Sequence, residues 1–166
     1  MKYAEIKPLV IEWAKEKNLT DSGKQYIKVF EEVGELAKAI LENDLPEIKD
    51  AIGDICITLI IHSYQTSSEI GKISTIEYNE TVQTQLFENL THCIVSYSPN
   101  SAINVLNEIA HKYDTTLDNC LLLAWNVIKN RTGKTVDGTF IKDDTESFPD
   151  FEQSKPMSFL TSFLKK

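Results

Sequence analysis

The sequence predicts an all-α fold: a helical bundle of about five to six helices, followed by a small C-terminal hairpin and a tail. Apolar residues recur every three or four positions through most of the chain, and strand-like alternation is scarce. Only six glycines interrupt the 166 residues, and the apolar fraction of 42% is enough to fill a core. The length favours one domain. We therefore expect a helical domain over residues 1–142 and an acidic loop and tail over residues 143–166.

The first three helices are indicated by apolar periodicity and by a start signal. A first helix is predicted over Tyr3–Glu16 and a second over Lys24–Leu41. Asp44 is a predicted N-cap, with Pro46 in the first turn of a third helix that ends near Tyr64. The second helix repeats apolar residues at helical spacing, namely Ile27, Phe30, Val33, Ala37 and Ile40.

Three further helices are predicted in the second half of the chain, after a polar link at residues 65–75. The Asp137-Gly138 pair favours a tight hairpin turn within Thr135–Phe140. The residues from Ser158 to Lys166 have helical spacing and could dock on the body or fray. The predicted helices here are Glu77–Val95, a helix from Ser98-Pro99 to near Tyr113, and a helix capped by Thr115 or Thr116 that ends near Asn130.

Charge and composition exclude several classes of function. Seventeen basic against 25 acidic residues give a net charge of −8, which argues against a protein that coats a nucleic-acid polymer. The longest apolar run, Ile55–Ile61, is far shorter than the ~20 residues of a membrane span. The N-terminus lacks a signal-peptide core. The odd, well-separated cysteines Cys56, Cys93 and Cys120 indicate buried free thiols and a reducing, cytoplasmic setting.

The most informative segment, Glu31–Asp54, contains eight acids and two lysines. Glu32 and Glu35 share a face of the second helix, as Glu47, Asp50 and Asp54 do on the third. The short link between these helices makes them antiparallel neighbours, so that the two acidic faces can meet.

A solvated acidic surface is the alternative interpretation for any acidic helix. The predicted burial of Asp54 favours a metal site over that alternative. Asp54 lies in a helix that is apolar nearly all round and is therefore predicted to be buried. A buried carboxylate needs a partner or a metal, and gathered carboxylates protonate unless a cation neutralises them. Oxygen ligands favour Mg²⁺, with Mn²⁺ as a second possibility.

A basic segment, Asn126–Lys134, closes the sixth helix with three cations and no acid. These cations could complement the helix dipole, which would be a structural role. Alternatively, Arg131 and Lys134 could reach phosphate oxygens near the metal. A carboxylate-held Mg²⁺ beside such cations is suited to phosphoryl chemistry.

These motifs resemble a known family. The run Glu31-Glu-Val-Gly-Glu-Leu36, followed by Asp50-Ala-Ile-Gly-Asp54, resembles the MazG-like branch of the all-α nucleoside triphosphate pyrophosphohydrolases. The segment Lys129–Lys142 resembles the close of MazG-like chains from phages and low-GC bacteria. The family pattern is E-E-x-x-E, a spacer, then E-x-x-D; here Ala51 stands where the family has Glu. Asp50 faces the same side and is expected to substitute as a ligand.

The resemblance implies hydrolysis of a nucleoside or deoxynucleoside triphosphate to the monophosphate and pyrophosphate, as a nucleotide-pool activity. It implies a homodimer or higher homo-oligomer, with no membrane or nucleic-acid polymer as partner. Glu31, Glu32 and Glu35 would be the catalytic carboxylates, with Glu31 or a ligand carboxylate orienting the water. The implied metal ligands are Glu32, Glu35, Asp50 and Asp54. The implied substrate-binding residues are Lys28, Asn126, Lys129, Arg131, Lys134 and, stacking on the base, Trp13; a core position is the alternative for Trp13.

Two alternatives compete with this interpretation. A carboxylate-bridged di-iron bundle needs Glu-x-x-His on two helices, and Glu108-Ile-Ala-His111 is the one instance in the sequence. A non-catalytic helical module that interacts with partners or binds nucleotide without turnover is the other alternative, which Ala51 keeps open.

Overall fold

The structure, a computed structural model, describes residues 1–74 and 82–143. These residues form six helices and one two-stranded hairpin, so the predicted all-α bundle with a small C-terminal hairpin is confirmed. The helices are α1 (Tyr3–Glu16), α2 (Ser22–Glu42), α3 (Leu45–Gln65), α4 (Gln83–Val95), α5 (Pro99–Lys112) and α6 (Leu117–Ile128). The strands are β1 (Gly133–Val136) and β2 (Thr139–Lys142).

The predicted caps explain where several helices begin. The Asp44 side chain accepts a hydrogen bond from the backbone N–H of Glu47, and Thr116 caps α6 in the same way. The fourth helix was predicted from Glu77, but within the described residues it begins at Gln83. The proposed tail beyond residue 143 and its apolar segment lie outside the described residues, so the domain boundary stays a prediction.

Helix α3 is the centre of the bundle. It packs against α1, α2, α5 and α6, and its side chains are buried on nearly every face, as the apolar sequence predicts. Ile52, Ile55 and Ile60 are almost completely buried. Within the described residues, no helix combines the length and apolar character needed to cross a membrane.

Helix α2 carries two apolar stripes, of which one faces the core. Val29, Val33 and Leu36 are buried against α3. The stripe predicted from the sequence is therefore only partly the core stripe, because Ile27 is 68% exposed and Phe30 is also exposed. The second stripe has no covering helix in the described part of the chain.

The C-terminal hairpin is held against the turn between α1 and α2. Asp137 and Gly138 both have positive φ, as a type I′ turn requires, and the hairpin prediction is confirmed. The Gly138 carbonyl accepts from the backbone N–H of Thr20 at 3.1 Å. The Thr135 hydroxyl donates to the Lys17 carbonyl. A side chain at Gly138 would collide with Thr20, so this close approach requires glycine.

All three cysteines are free thiols. Cys56 and Cys120 are buried, as predicted, whereas Cys93 is half-buried. Burial raises the pKa of all three thiols, which makes them poor nucleophiles. Their role in the fold is therefore that of small apolar side chains.

Candidate active site

A cavity of about 380 Å³ lies between α1, α2, α3, the end of α6 and the hairpin. One half of its wall is charged and the other half is apolar and aromatic. Three side chains in the charged half or at its edge are cationic: Lys28, Arg131 and Lys142. Five carboxylates line the charged half, namely Glu31, Glu32, Glu35, Asp50 and Asp54.

Glu32 is the most deeply placed carboxylate of α2, being only 5% exposed. Lys28, one turn earlier, lies with its Nζ 2.8 Å from Glu32 Oε1 and 2.8 Å from Glu31 Oε2. Burial lowers the pKa of Lys28, but its hydrogen bonds to Glu31 and Glu32 outweigh that effect and raise it. Lys28 thus neutralises part of a site that otherwise carries an excess of negative charge.

Two of the other carboxylates, Asp54 and Glu35, resist ionisation. Burial, reinforced by the charges of Glu32 and Asp50, raises the pKa of Asp54 to about 7, against an ordinary value of 3.8. Burial and the neighbouring Glu32 likewise raise the pKa of Glu35. Arg131 and Lys28 partly offset the shift of Asp54. Because the cavity disfavours the ionised form of these carboxyl groups, a bound cation would stabilise that form.

The donor set therefore fits a hard divalent cation. All the available ligands are carboxylate oxygens, and Lys28 already places a positive charge between two of them. Within the described residues, no three His, Cys, Asp or Glu side chains are gathered closely enough to hold an ion. The five carboxylates line the charged half of the cavity.

The raised pKa of Asp54 predicts how the stability of the metal-free protein depends on pH. Between about pH 4 and 7, folded Asp54 holds a proton that the unfolded chain has lost, so the free energy of unfolding falls as the pH rises, by at most about 1.4 kcal/mol per pH unit. Chemical unfolding in chelator at pH 5.5 and pH 8 should show this loss. Asp54→Asn should remove that part of the loss, and an identical pH dependence in the variant would contradict the assignment.

Only some of the predicted substrate-binding residues lie at the cavity. Lys28 and Arg131 line the cavity, whereas Asn126, Lys129 and Lys134 do not. Lys129 Nζ instead donates to Asn126 Oδ1 at 2.7 Å on the exposed face of α6. Lys134 is exposed on the opposite face of β1 from Thr135, which contacts the body. Strand alternation therefore turns Lys134 away from the cavity.

The acidic residues of α3 also differ in whether they line the cavity. Asp50 and Asp54 line the cavity, whereas Ala51 is buried in the core and Glu47 is exposed outside the cavity. At the point where this sequence departs from the family pattern, the side chain that the helix presents to the cavity is Asp50.

The apolar half of the cavity contains Trp13, which was predicted to stack on the base, together with residues of β2 that the sequence did not single out. Trp13 is 8% exposed, lines the cavity and meets Phe140 edge-on at 5.6 Å between ring centroids. Trp13 Nε1 and Thr139 Oγ1 are buried without a hydrogen-bond partner. Thr139, Phe140 and Lys142 come from β2, so their placement depends on the docking of the hairpin, which no local motif encodes.

The di-iron alternative finds no support in this arrangement. Neither Glu108 nor His111 of α5 lines the carboxylate cavity; His111 lies at a separate cavity near the N-terminus of α6. A bridged pair of irons would need these residues beside the carboxylates of α2 and α3.

Comparison with known proteins finds a family model that matches part of this site. Residues 23–88 match the family model of the MazG nucleotide pyrophosphohydrolase domain. An uncharacterized 18.2 kDa protein in the rep-hol intergenic region of Haemophilus phage HP1 is 39% identical over 57 residues, which are 32% of this chain and 35% of the phage protein. The chain thus spans about a third of the length of the curated relative it matches. No solved structure matches the chain.

The matched segment begins in α2 and ends in α4 of this all-α fold. The predicted resemblance to the MazG nucleotide pyrophosphohydrolase domain is thus confirmed over residues 23–88. Pyrophosphohydrolases of this family generally use a divalent metal. The matched segment includes all five carboxylates of the cavity and Lys28, but not Trp13, Arg131 or the hairpin.

Proposed function

We propose that this protein hydrolyses a nucleoside or deoxynucleoside triphosphate to the monophosphate and pyrophosphate with Mg²⁺, which Mn²⁺ could replace. The observation that carries this proposal is the division of one cavity into a carboxylate half with nearby cations and an apolar, aromatic half. A nucleotide has the same division between a charged triphosphate and a flat base. The cavity volume of about 380 Å³ is of the size that small-molecule sites generally have.

Glu32, Glu35, Asp50 and Asp54 are the residues that would hold the cation. When bound, the cation would neutralise charge on the phosphate oxygens. The cationic side chains at the same cavity, Lys28 and Arg131, would orient the phosphates by charge-assisted hydrogen bonds. Trp13 and Phe140 would form the wall against which the base lies. Trp13 could therefore contact the base although its side chain is largely buried.

The reaction consumes one water molecule. Its oxygen forms a bond to phosphorus, the phosphoanhydride bond between the α- and β-phosphates breaks, and pyrophosphate leaves. Glu31, with one carboxylate oxygen on Lys28, would orient this water and accept its proton. Glu32 and Glu35 lie one residue and one turn further along the same helix, so the catalytic and ligand carboxylates share one rigid element.

A screen of the common NTPs and dNTPs with Mg²⁺ tests the proposal. Pyrophosphate and inorganic phosphate should be quantified separately, since release of pyrophosphate identifies the bond that breaks. Nucleotide binding without turnover would instead support the non-catalytic module. The assignment to the cytoplasm and to nucleotide-pool housekeeping is part of the same proposal.

Arg131 and Lys134 provide a matched pair for the phosphate contacts. Arg131→Ala should lower kcat/KM roughly ten- to a hundredfold, because a charge-assisted contact contributes ~1.5–3 kcal/mol. Lys134→Ala should leave kcat/KM nearly unchanged, since Lys134 does not line the cavity. Both should be measured with thermal midpoints. Equal losses in the two variants, or normal kinetics in Arg131→Ala, would contradict this placement of the phosphates.

A further inference from the structure

A second cavity, with a volume of about 670 Å³, lies at the opposite end of α1 and α6 from the carboxylate cavity. Tyr3 at the start of α1 lines the second cavity, whereas Trp13, ten residues later, lines the carboxylate cavity. Leu117 and Ile128 of α6 are divided in the same way. About 15 Å of helix therefore separates the two cavities, and no described residue lines both.

Positive charge is concentrated at the second cavity, although the whole chain carries a net charge of −8. Three lysines from α1 and from the link after α3 (residues 66–74) line it, against a single carboxylate. That carboxylate, Asp118, accepts a hydrogen bond from the backbone N–H of Tyr3 at 2.6 Å. Three ammonium groups against one carboxylate leave an excess of two positive charges. The lysines are Lys2, Lys7 and Lys72.

Most of this positive charge is not neutralised within the protein. In the described part of the chain, neither Lys2 nor Lys72 forms a salt bridge. Lys7 Nζ donates one hydrogen bond, to the Ile70 carbonyl at 2.5 Å, which leaves two of its three N–H donors available. His111 of α5 also lines the cavity, and its ring can provide a further donor.

The link after α3 forms one wall of the second cavity and is held in place by three asparagines of α5. Asn100 Oδ1 accepts from the backbone N–H of Gly71 at 2.9 Å. Asn104 Oδ1 accepts from the backbone N–H of Ser74, also at 2.9 Å. Asn107 lines the cavity and donates to the Ser74 carbonyl at 3.4 Å. The wall is therefore fixed before a ligand arrives, which lowers the ordering cost of binding.

The same cavity also has an apolar surface. Tyr3, Ala4, Ile73 and Leu117 line it beside the lysines. Its volume lies within the range of about 300–1,000 Å³ that is usual for small-molecule sites. An apolar surface next to unpaired ammonium groups suits a molecule that combines an anionic group with an apolar or aromatic part.

The excess charge of the cavity indicates which anionic group it suits. A phosphate monoester carries a charge of about −1.5 to −2 near pH 7, whereas a carboxylate carries a single negative charge. Lysine ammonium groups bind phosphate oxygens through charge-assisted hydrogen bonds. We propose that the second cavity is a binding site for a phosphate monoester with an apolar or aromatic group, and that Lys2, Lys7 and Lys72 hold its phosphate.

This site is independent of the proposed hydrolysis. Its lining contains none of the five carboxylates that surround the other cavity. Binding at the second cavity should therefore need no divalent cation. A triphosphate at the carboxylate cavity would depend on the cation, so a chelator separates the two kinds of binding.

Nuclear magnetic resonance of the isotope-labelled full chain in excess EDTA tests the site, with phenyl phosphate as the probe. The backbone amide signals of Lys7, Ile73 and Leu117 should shift saturably, whereas those of Glu32 and Asp54 should not. Benzoate has the ring but a single negative charge, and inorganic phosphate lacks the ring, so both should bind more weakly. No saturation at millimolar phenyl phosphate, or shifts at Glu32 and Asp54 alone, would overturn the proposal. Equal affinity for benzoate or for inorganic phosphate would overturn the assigned ligand class.

Two double variants separate this cavity from the general charge of the protein. Lys2→Gln/Lys72→Gln removes two exposed cations that line it, and should weaken the binding of phenyl phosphate roughly tenfold or more. Lys38→Gln/Lys134→Gln removes the same charge from exposed positions that line neither cavity, and should leave binding nearly unchanged. Circular dichroism should verify that both variants fold. Equal dissociation constants in the two variants would contradict the proposed site.

Discussion

Replacing Asp54 with asparagine is expected to reduce turnover at least a hundredfold while raising the melting temperature of the metal-free protein. The loss of turnover follows because the change removes one of four proposed ligands, and transition-state charge stabilisation of this kind is typically worth about 10²–10³ in rate. The gain in stability follows because burial and the charges of Glu32 and Asp50 disfavour the Asp54 carboxylate, as its raised pKa shows. An amide of the same shape has no charge to desolvate.

Glu47→Gln is the matched control for this prediction. It removes one negative charge from the same helix, two turns earlier, at an exposed position outside the cavity. Its turnover should be close to that of the unsubstituted protein. Mn²⁺ titration followed by electron paramagnetic resonance should show weaker binding in Asp54→Asn alone. Near-normal turnover in Asp54→Asn with an intact fold would mean that the ligand assignment is wrong.

The helices and the acidic pattern could be predicted because both are local properties of the chain. The bounds of α1 follow from its apolar period, and the start of α3 follows from Asp44 as its cap. The position of Asp54 on a helix that is apolar all round already indicated an unusual carboxylate. The raised pKa of Asp54 results chiefly from burial on this apolar helix.

The rest of the site depends on packing between distant segments. Phe140 lines the cavity because the hairpin docks on the turn between α1 and α2, and that contact requires the close approach of Gly138 to Thr20. Lys134 carries the charge expected of a phosphate ligand, but the alternation of β1 turns it outwards. A basic run thus predicts the neighbourhood of a site without predicting which of its side chains enters.

Helix α2 illustrates a second limit. Its sequence shows apolar residues at helical spacing, but two stripes satisfy that description. Val29 and Leu36 face α3, whereas Ile27 and Leu41 face outwards. The hydrophobic period alone cannot decide which of the two stripes faces the core, because both consist of apolar residues at helical spacing.

Gly53→Ala is expected to lower the free energy of unfolding of the bundle. A Cβ atom at Gly53 would collide with the backbone carbonyl of Cys120 and lie 2.8 Å from the Cβ of Ala124, both on α6. Backbone atoms cannot rotate away, so α3 and α6 must separate. Overpacking costs typically about 1–3 kcal/mol, and a clash with backbone atoms is expected at the upper end of that range, above the ~1 kcal/mol that alanine gains over glycine as a helix former.

Gly34→Ala is the matched control, since a Cβ atom at Gly34 meets nothing within 4 Å in the protomer. It should raise the free energy of unfolding by about 0.5–1 kcal/mol. Gly53→Ala should lower it, as measured by urea unfolding of both variants. Equal shifts in the two variants would mean that α3 and α6 are not in close contact.

The same substitution links the packing of the bundle to its chemistry. Asp54 follows Gly53 directly on α3, and Arg131 follows the end of α6, so the spacing of these two helices fixes the distance between a proposed metal ligand and a proposed phosphate contact. Gly53→Ala should therefore lower kcat/KM under conditions in which the variant is fully folded, as verified by circular dichroism. Normal kcat/KM in a folded but destabilised variant would separate the two effects and leave Gly53 with a role in stability alone.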